Sequence, residues 1–211
     1  MPPPKREAIY IILPTISLYL LILVLFLMTP FPFYDTFNFI IRFAALFGFT
    51  STFVATIMSP FAVQLYKVFG KPFVKIHHIF SITGIAFLTL HPITLAISVV
   101  DFTILLPDFT SWSVFWTYGG RIALPLIYLA VFGALLRKKI IKIWRIIHSL
   151  NYLALFLAYV HGVLIGEDLQ SIGFLIIFTI MIILSFAVLI YKRYLGYKRR
   201  KKLSLNKNHI R

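Results

Sequence analysis

No cysteine occurs anywhere in the 211 residues. That absence excludes a disulfide framework, a thiolate-bound zinc or iron–sulfur cluster, and cysteine nucleophilic catalysis, so any metal has to be held by His, carboxylate or backbone. Charge is scarce too: 13% of the residues are charged and 60% are hydrophobic, where a soluble domain carries about one-quarter charged residues. Acids are scarcest, 6 Asp and Glu against 21 Lys and Arg, a net charge of +15. In a soluble chain that balance would point to nucleic acid. In a chain this apolar the basic residues are read against a bilayer first, and no nucleic-acid partner is expected. A Gly-rich phosphate loop is also missing.

What the chain does have is six apolar stretches, at approximately 8–29, 37–62, 73–97, 112–136, 143–165 and 169–191. Each is long enough, at ~1.5 Å per residue, to cross a ~30 Å hydrocarbon core. The expectation is an all-α integral membrane bundle of six transmembrane helices, occupying 1–211 as one domain in the cell membrane. Its first stretch follows Lys5 and Arg6 and lacks a small-residue cleavage site, so it is expected to stay as an anchor. Orientation follows from the basic residues, because cytoplasmic loops hold the excess of Lys and Arg. The N-terminus (1–7), the second-to-third and fourth-to-fifth connections and the tail (192–211) together carry 19 of the 21 basic residues, and the opposite side carries five of the six acids. Both termini are therefore expected in the cytoplasm.

Arg42 and Arg121 stand outside this partition, near the outer ends of their spans. An arginine in the apolar region costs roughly 2.5–3.5 kcal/mol on insertion scales, so each needs either a partner or a route to the headgroups. The 98–118 connection, with Pro107, Trp112, Trp116 and Tyr118, reads as an interfacial aromatic anchor and as the outer loop large enough to form a substrate surface. The basic run at 198–202 fits either anionic lipid or an acidic reductase.

Five of the six histidines fall inside the third and fifth spans: His77, His78, His91, His148 and His161. The sixth, His209, belongs to the basic tail. Both spans run from the cytoplasm outward, and 14 residues separate His77 from His91 while 13 separate His148 from His161. These steps are ~21 Å and ~20 Å of helix rise, so two parallel helices offer one facing pair in each leaflet. Paired neutral imidazoles are the axial ligands of an electron-transferring haem. On an ideal helix His91 returns to within about 40° of His77, with Gly84 between them about 20° away, leaving room for porphyrin edges. The 13-residue step in the fifth span leaves about 140°, which requires a distorted turn. His78 is out of phase and reads as an interfacial or supporting residue. Lys75 and Arg145 are candidates for inner propionates, Arg42 and Arg121 for outer ones. The competing reading is a non-redox transporter or channel with a His-lined proton or metal path.

With this His spacing and the segment Trp144-Arg145-Ile146-Ile147-His148-Ser149-Leu150-Asn151-Tyr152, the chain resembles the ferric-reductase-like transmembrane domain family over about 40–190. That family holds the membrane parts of ferric-chelate reductases and NADPH oxidases and the haem subunit of the bacterial methionine sulfoxide reductase system. The resemblance implies two b-type haems, the inner on His77 and His148 and the outer on His91 and His161. Electrons would cross from a separate flavoprotein carrying FAD or FMN, or from a quinol, to an outer acceptor such as ferric iron, a protein or oxygen. The chain would be the haem-binding subunit of an oxidoreductase that needs a separate reductase. Leu95 stands where the oxidases carry a further His, which argues against dedicated superoxide production, and His77 is a ligand that the sulfoxide reductase subunit usually lacks.

Overall fold

The computed structural model describes residues 6–29, 35–70 and 72–209, with side chains described for 7–29, 35–70, 72–198 and 200–201. Lys5, Lys71 and Arg211 lie outside the described residues, as do the side chains of Arg6, Arg199, Lys202, Lys207 and His209. All regular structure among the described residues is helical: α1 (Ile9–Met28), α2 (Thr36–Met58), α3 (Ala62–Phe69), α4 (Phe73–Ser98), α5 (Trp112–Thr117), α6 (Gly119–Leu135), α7 (Trp144–His148), α8 (Leu150–Ile165) and α9 (Ile172–His209). Five helical runs are long and apolar enough to cross a membrane, and α6 is a shorter apolar helix of 17 residues.

Local chemistry sets the helix ends. The Asp35 carboxylate accepts from the Phe37 amide at 2.9 Å and caps α2. At its far end Pro60, which has no N–H to continue the ladder, lies in a 3-10 turn, Ser59–Phe61, before α3. Gly70 then ends α3 in the left-handed region, φ 62°, a conformation that glycine adopts without steric cost.

The expected stretches at 8–29 and 73–97 correspond closely to α1 and α4; three others differ in instructive ways. The stretch at 112–136 is two helices, α5 and α6, broken at Tyr118, because Gly119-Gly120 follows and the amide of Arg121 closes a tight turn on Tyr118 O at 2.9 Å. The stretch at 143–165 breaks at Ser149, where the Tyr152 amide turns back to Ser149 O at 3.1 Å. The last stretch does not stop at 191: α9 runs on through the basic segment as one helix to His209, so the tail is helical over its described part.

The bundle has two packed sides. On one, α1, α2 and α9 enclose Ile22, Phe26, Phe49, Phe174, Phe178 and Met181. On the other, α6 and α8 meet through Ala123, Ile127, Ala154 and Leu157. Helix α4 packs mainly on α2, and α8 mainly on α6. Small residues make both crossings close: a Cβ at Gly84 would sit 2.5 Å from Thr52 Oγ1 of α2, and one at Gly119 would sit 3.1 Å from Leu157 O of α8. Hydroxyl pairs add cross-links without leaving polar atoms bare, as in Tyr19 with Ser51, Thr89 with Tyr128 and Tyr159 with Thr179. Such bonds between apolar helices contribute about 0.6–2 kcal/mol each.

Candidate functional site

The two histidine helices barely touch. Helix α4 packs chiefly on α2 and α8 chiefly on α6, so the histidines are placed by these neighbours rather than by packing of α4 on α8. Each of the four is pinned in the same way. His77 Nδ1 donates to Ala55 O at 3.1 Å, His91 Nδ1 to Ile41 O at 2.9 Å, His148 Nδ1 to Ala130 O at 3.1 Å and His161 Nδ1 to Thr117 O at 2.8 Å. A carbonyl only accepts, so the proton of each ring belongs on Nδ1 and the lone pair on Nε2. That is the state of a metal-ready imidazole with its outer support in place.

Helix breaks supply two of these carbonyls. In an unbroken helix Ala55 O would accept from the Ser59 amide, which instead donates to Thr56 O as α2 tightens toward Pro60. Thr117 O would accept from the Arg121 amide, which instead donates to Tyr118 O. The freed oxygens take His77 and His161. The break that divides 112–136 is therefore also the device that orients a histidine.

The Ser149 break bears on the phase of the fifth stretch. It falls directly after His148, so His148 and His161 lie on separate helices, α7 and α8. The rings of His77 and His148 face each other with centres 6.2 Å apart and planes at 73°. Two imidazoles sharing one metal need roughly 6 Å between centres, about 2 Å from metal to nitrogen and about 1 Å from nitrogen to ring centre on each side. The inner pair meets that requirement. Ser81 Oγ lies 3.3 Å from His77 Nε2, the one side-chain hydrogen bond at a ligand-side nitrogen of the four among the described residues. His91 and His161 interact electrostatically, without ring contact. His161 rests on Gly120, where a Cβ would come within 3.0 Å of Nε2.

No three His, Asp or Glu side chains converge among the described residues. A bare cation bound only by protein needs at least three such ligands, whereas a porphyrin iron already has four nitrogens and asks the protein for two. The paired imidazoles are the donor set that a haem would ask of the protein.

The other expected site residues divide. Gly84 faces α2 against Thr52 and Gly48 O, so its missing side chain serves the α2–α4 crossing and is not the porphyrin clearance expected from the sequence. Arg42 is buried, with Nε 3.1 Å and a terminal nitrogen 2.5 Å from the two oxygens of Asp168, and its guanidinium lies 5.1 Å from the Phe26 ring. It does not snorkel. Arg121 lies over Tyr118 at 4.5 Å and lines a hollow of about 480 Å³ with Thr103, Leu106, Pro107, Asp108, Phe109 and Thr110. Lys75 is exposed, Arg145 lies over Trp144 at 5.5 Å, and His78 is exposed beside His77.

Sequence reasoning passed over several residues. The four anchoring carbonyls carry no side-chain signal. Asp168 could have been found from the need of a buried Arg42 for a counter-ion, and Gly120 from the Gly-Gly pair before α6. Lys192, assigned to the tail, acts electrostatically on both His77 and His148. Compared with protein families, curated proteins and solved structures, the chain matches none.

Proposed function

We propose that the chain is a six-span, multi-pass b-type cytochrome of the cell membrane, the haem subunit of a ferric-reductase-like oxidoreductase. His77 and His148 hold one haem near the basic, cytoplasmic end, and His91 and His161 hold the second near the acidic, outer end. Helix α6, led in by the aromatic interfacial helix α5, makes the sixth crossing, and the segregation of basic from acidic connections supports cytoplasmic termini. The donor is a separate flavoprotein with FAD or FMN, or a quinol; the acceptor is on the outer face. The observation that carries this reading is the fourfold repetition of one arrangement, Nδ1 committed to a neighbouring carbonyl and the lone pair left on Nε2, which in His77 also meets Ser81 Oγ at 3.3 Å.

Each haem would supply one-electron iron chemistry. The chain's own part is to fix ligands. The carbonyl bonds hold each imidazole in one tautomer and one rotation, so little reorganisation accompanies a change of charge at the metal. Arg145 and Lys192 place positive charge at the inner end, where it suits propionates and favours the reduced state.

Protein expressed with haem supplied is expected to give a reduced-minus-oxidised b-type spectrum with two haems per chain by pyridine haemochrome assay. Folded protein that takes up no haem would overturn the reading in favour of a His-lined transport path.

Gly120→Ala tests the outer pair. The new methyl must move the His161 ring, a strain of about 1–3 kcal/mol. The expected result is a shifted or high-spin outer-haem signal in electron paramagnetic resonance, with the inner-haem signal unchanged.

A further inference from the structure

The loop at the acidic end is built rather than loose. Asp101 accepts from the Thr103 amide at 2.9 Å and its hydroxyl at 2.7 Å, and Asp108 accepts from the Thr110 amide at 2.9 Å. These bonds hold both carboxyls below the usual carboxylate range, the Thr103 hydroxyl leading for Asp101 and the Thr110 amide for Asp108. Between the two turns the chain folds beside Arg121 and leaves an open, shallow hollow of about 480 Å³.

Three properties define what the hollow can take. Its wall is mainly apolar, with Leu106, Pro107 and Phe109 against the hydroxyls of Thr103 and Thr110. Its cation is available: among the described residues the Arg121 guanidinium has the Tyr118 ring as a face contact and makes no hydrogen bond or ion pair. Its position is next to the outer histidines, because Arg121 directly follows Gly120, on which the His161 ring rests. A multiply anionic chelate is disfavoured there, since Asp101 and Asp108 both stay ionised within the field of Arg121. A neutral, flat, apolar molecule with an exposed carbonyl matches all three, and it can arrive through the bilayer.

We infer that this hollow, with Arg121 as hydrogen-bond donor to a carbonyl oxygen, is a binding site for a quinone head group that serves as the outer electron acceptor. The inference rests on the dihaem reading for the electron supply. Reduction of the quinone to the quinol takes two electrons, delivered singly from the cytoplasmic donor along the proposed path, and two protons from the outer water. Arg121 neutralises charge as it develops on the carbonyl oxygen. Phe109, Phe115 and Trp112 form a contiguous aromatic edge, with ring centres 6.3 and 5.6 Å apart, so a bound quinone lies within quenching reach of a tryptophan.

The test uses full-length protein in nanodiscs and decylubiquinone as probe, read in two ways. Tryptophan fluorescence should be quenched saturably, and Arg121→Gln should raise the half-saturating concentration about tenfold. In stopped flow, dithionite-reduced protein should be reoxidised by decylubiquinone with a rate that saturates at the same concentration. Ferric citrate in place of the quinone should give no saturation sensitive to Arg121. Quenching that is linear in quinone and indifferent to Arg121→Gln would overturn the site, and so would Arg121-dependent saturation by ferric citrate alone. Because quenching needs no haem, saturable binding to protein that lacks haem would sink the cytochrome reading and leave the quinone site standing.

Discussion

His77→Ala and His148→Ala are each expected to remove the inner haem and halve the haem b content, leaving the outer haem with its spectrum and potential. The two rings stand 6.2 Å apart on α4 and α7, whereas the neighbouring His78 ring, 6.3 Å from that of His77, is exposed. With one ligand gone, the iron would be five-coordinate at best, and the binding energy of the pocket would rest on the remaining imidazole and apolar contact. The outer pair should be spared because its anchors are separate. His91 is held by Ile41 O and His161 by Thr117 O, well removed along the chain from Ala55 and Ala130, which hold the inner pair. Haem stoichiometry with low-temperature paramagnetic resonance measures this directly. Retention of both haems and both potentials in either variant would show that the pairing is wrong, whereas loss of both haems with an intact helical signal would show that the two sites do not assemble independently.

The sequence carried the apolar runs plainly, since a bilayer solvent demands about 20 consecutive apolar residues and leaves little freedom in where they lie. It also carried the histidines, because ionisable groups are rare enough in such runs that their spacing is informative. It did not carry the helix breaks at Tyr118 and Ser149. Glycine and serine within an apolar stretch are compatible with continuous helix, and the breaks depend on amides choosing an i−3 over an i−4 carbonyl, a choice made by tertiary contacts. The anchors of the histidines were invisible for the same reason: a backbone carbonyl has no letter in the sequence. Gly84 shows the opposite failure. Its place on the His77 face suggested room for a cofactor, but a glycine reports only that something approaches closely, and here the approaching atoms belong to Thr52 and Gly48 of α2. The histidines were legible; the bonds that orient them were not.

Asp168→Ala is expected to destabilise the fold by about 3–5 kcal/mol, the cost of removing one member of a buried ion pair. Arg42 and Asp168 have side chains only 8% and 7% exposed and meet through two nitrogens and two oxygens, so neither charge is relieved by water. Arg42→Ala should cost a similar amount by stranding the carboxylate. Asp168→Asn separates charge from hydrogen bonding: it keeps an acceptor for the guanidinium but not the opposite charge, so an intermediate loss identifies the Coulombic share. The double variant Arg42→Met, Asp168→Leu removes both charges and should recover most of the loss, since apolar replacements of a buried pair are often neutral or better. Unfolding in detergent, followed by helical circular dichroism, reads these differences; additive losses in the double variant would mean that the two side chains do not act as a pair. The ion pair also ties α2 to the turn before α9 at the residue next to Ile41, whose carbonyl holds His91. Loosening it should therefore broaden the outer-haem resonance before the protein unfolds, with the inner signal sharp, because Ala55 sits nearly four helical turns further along α2, at about 1.5 Å per residue.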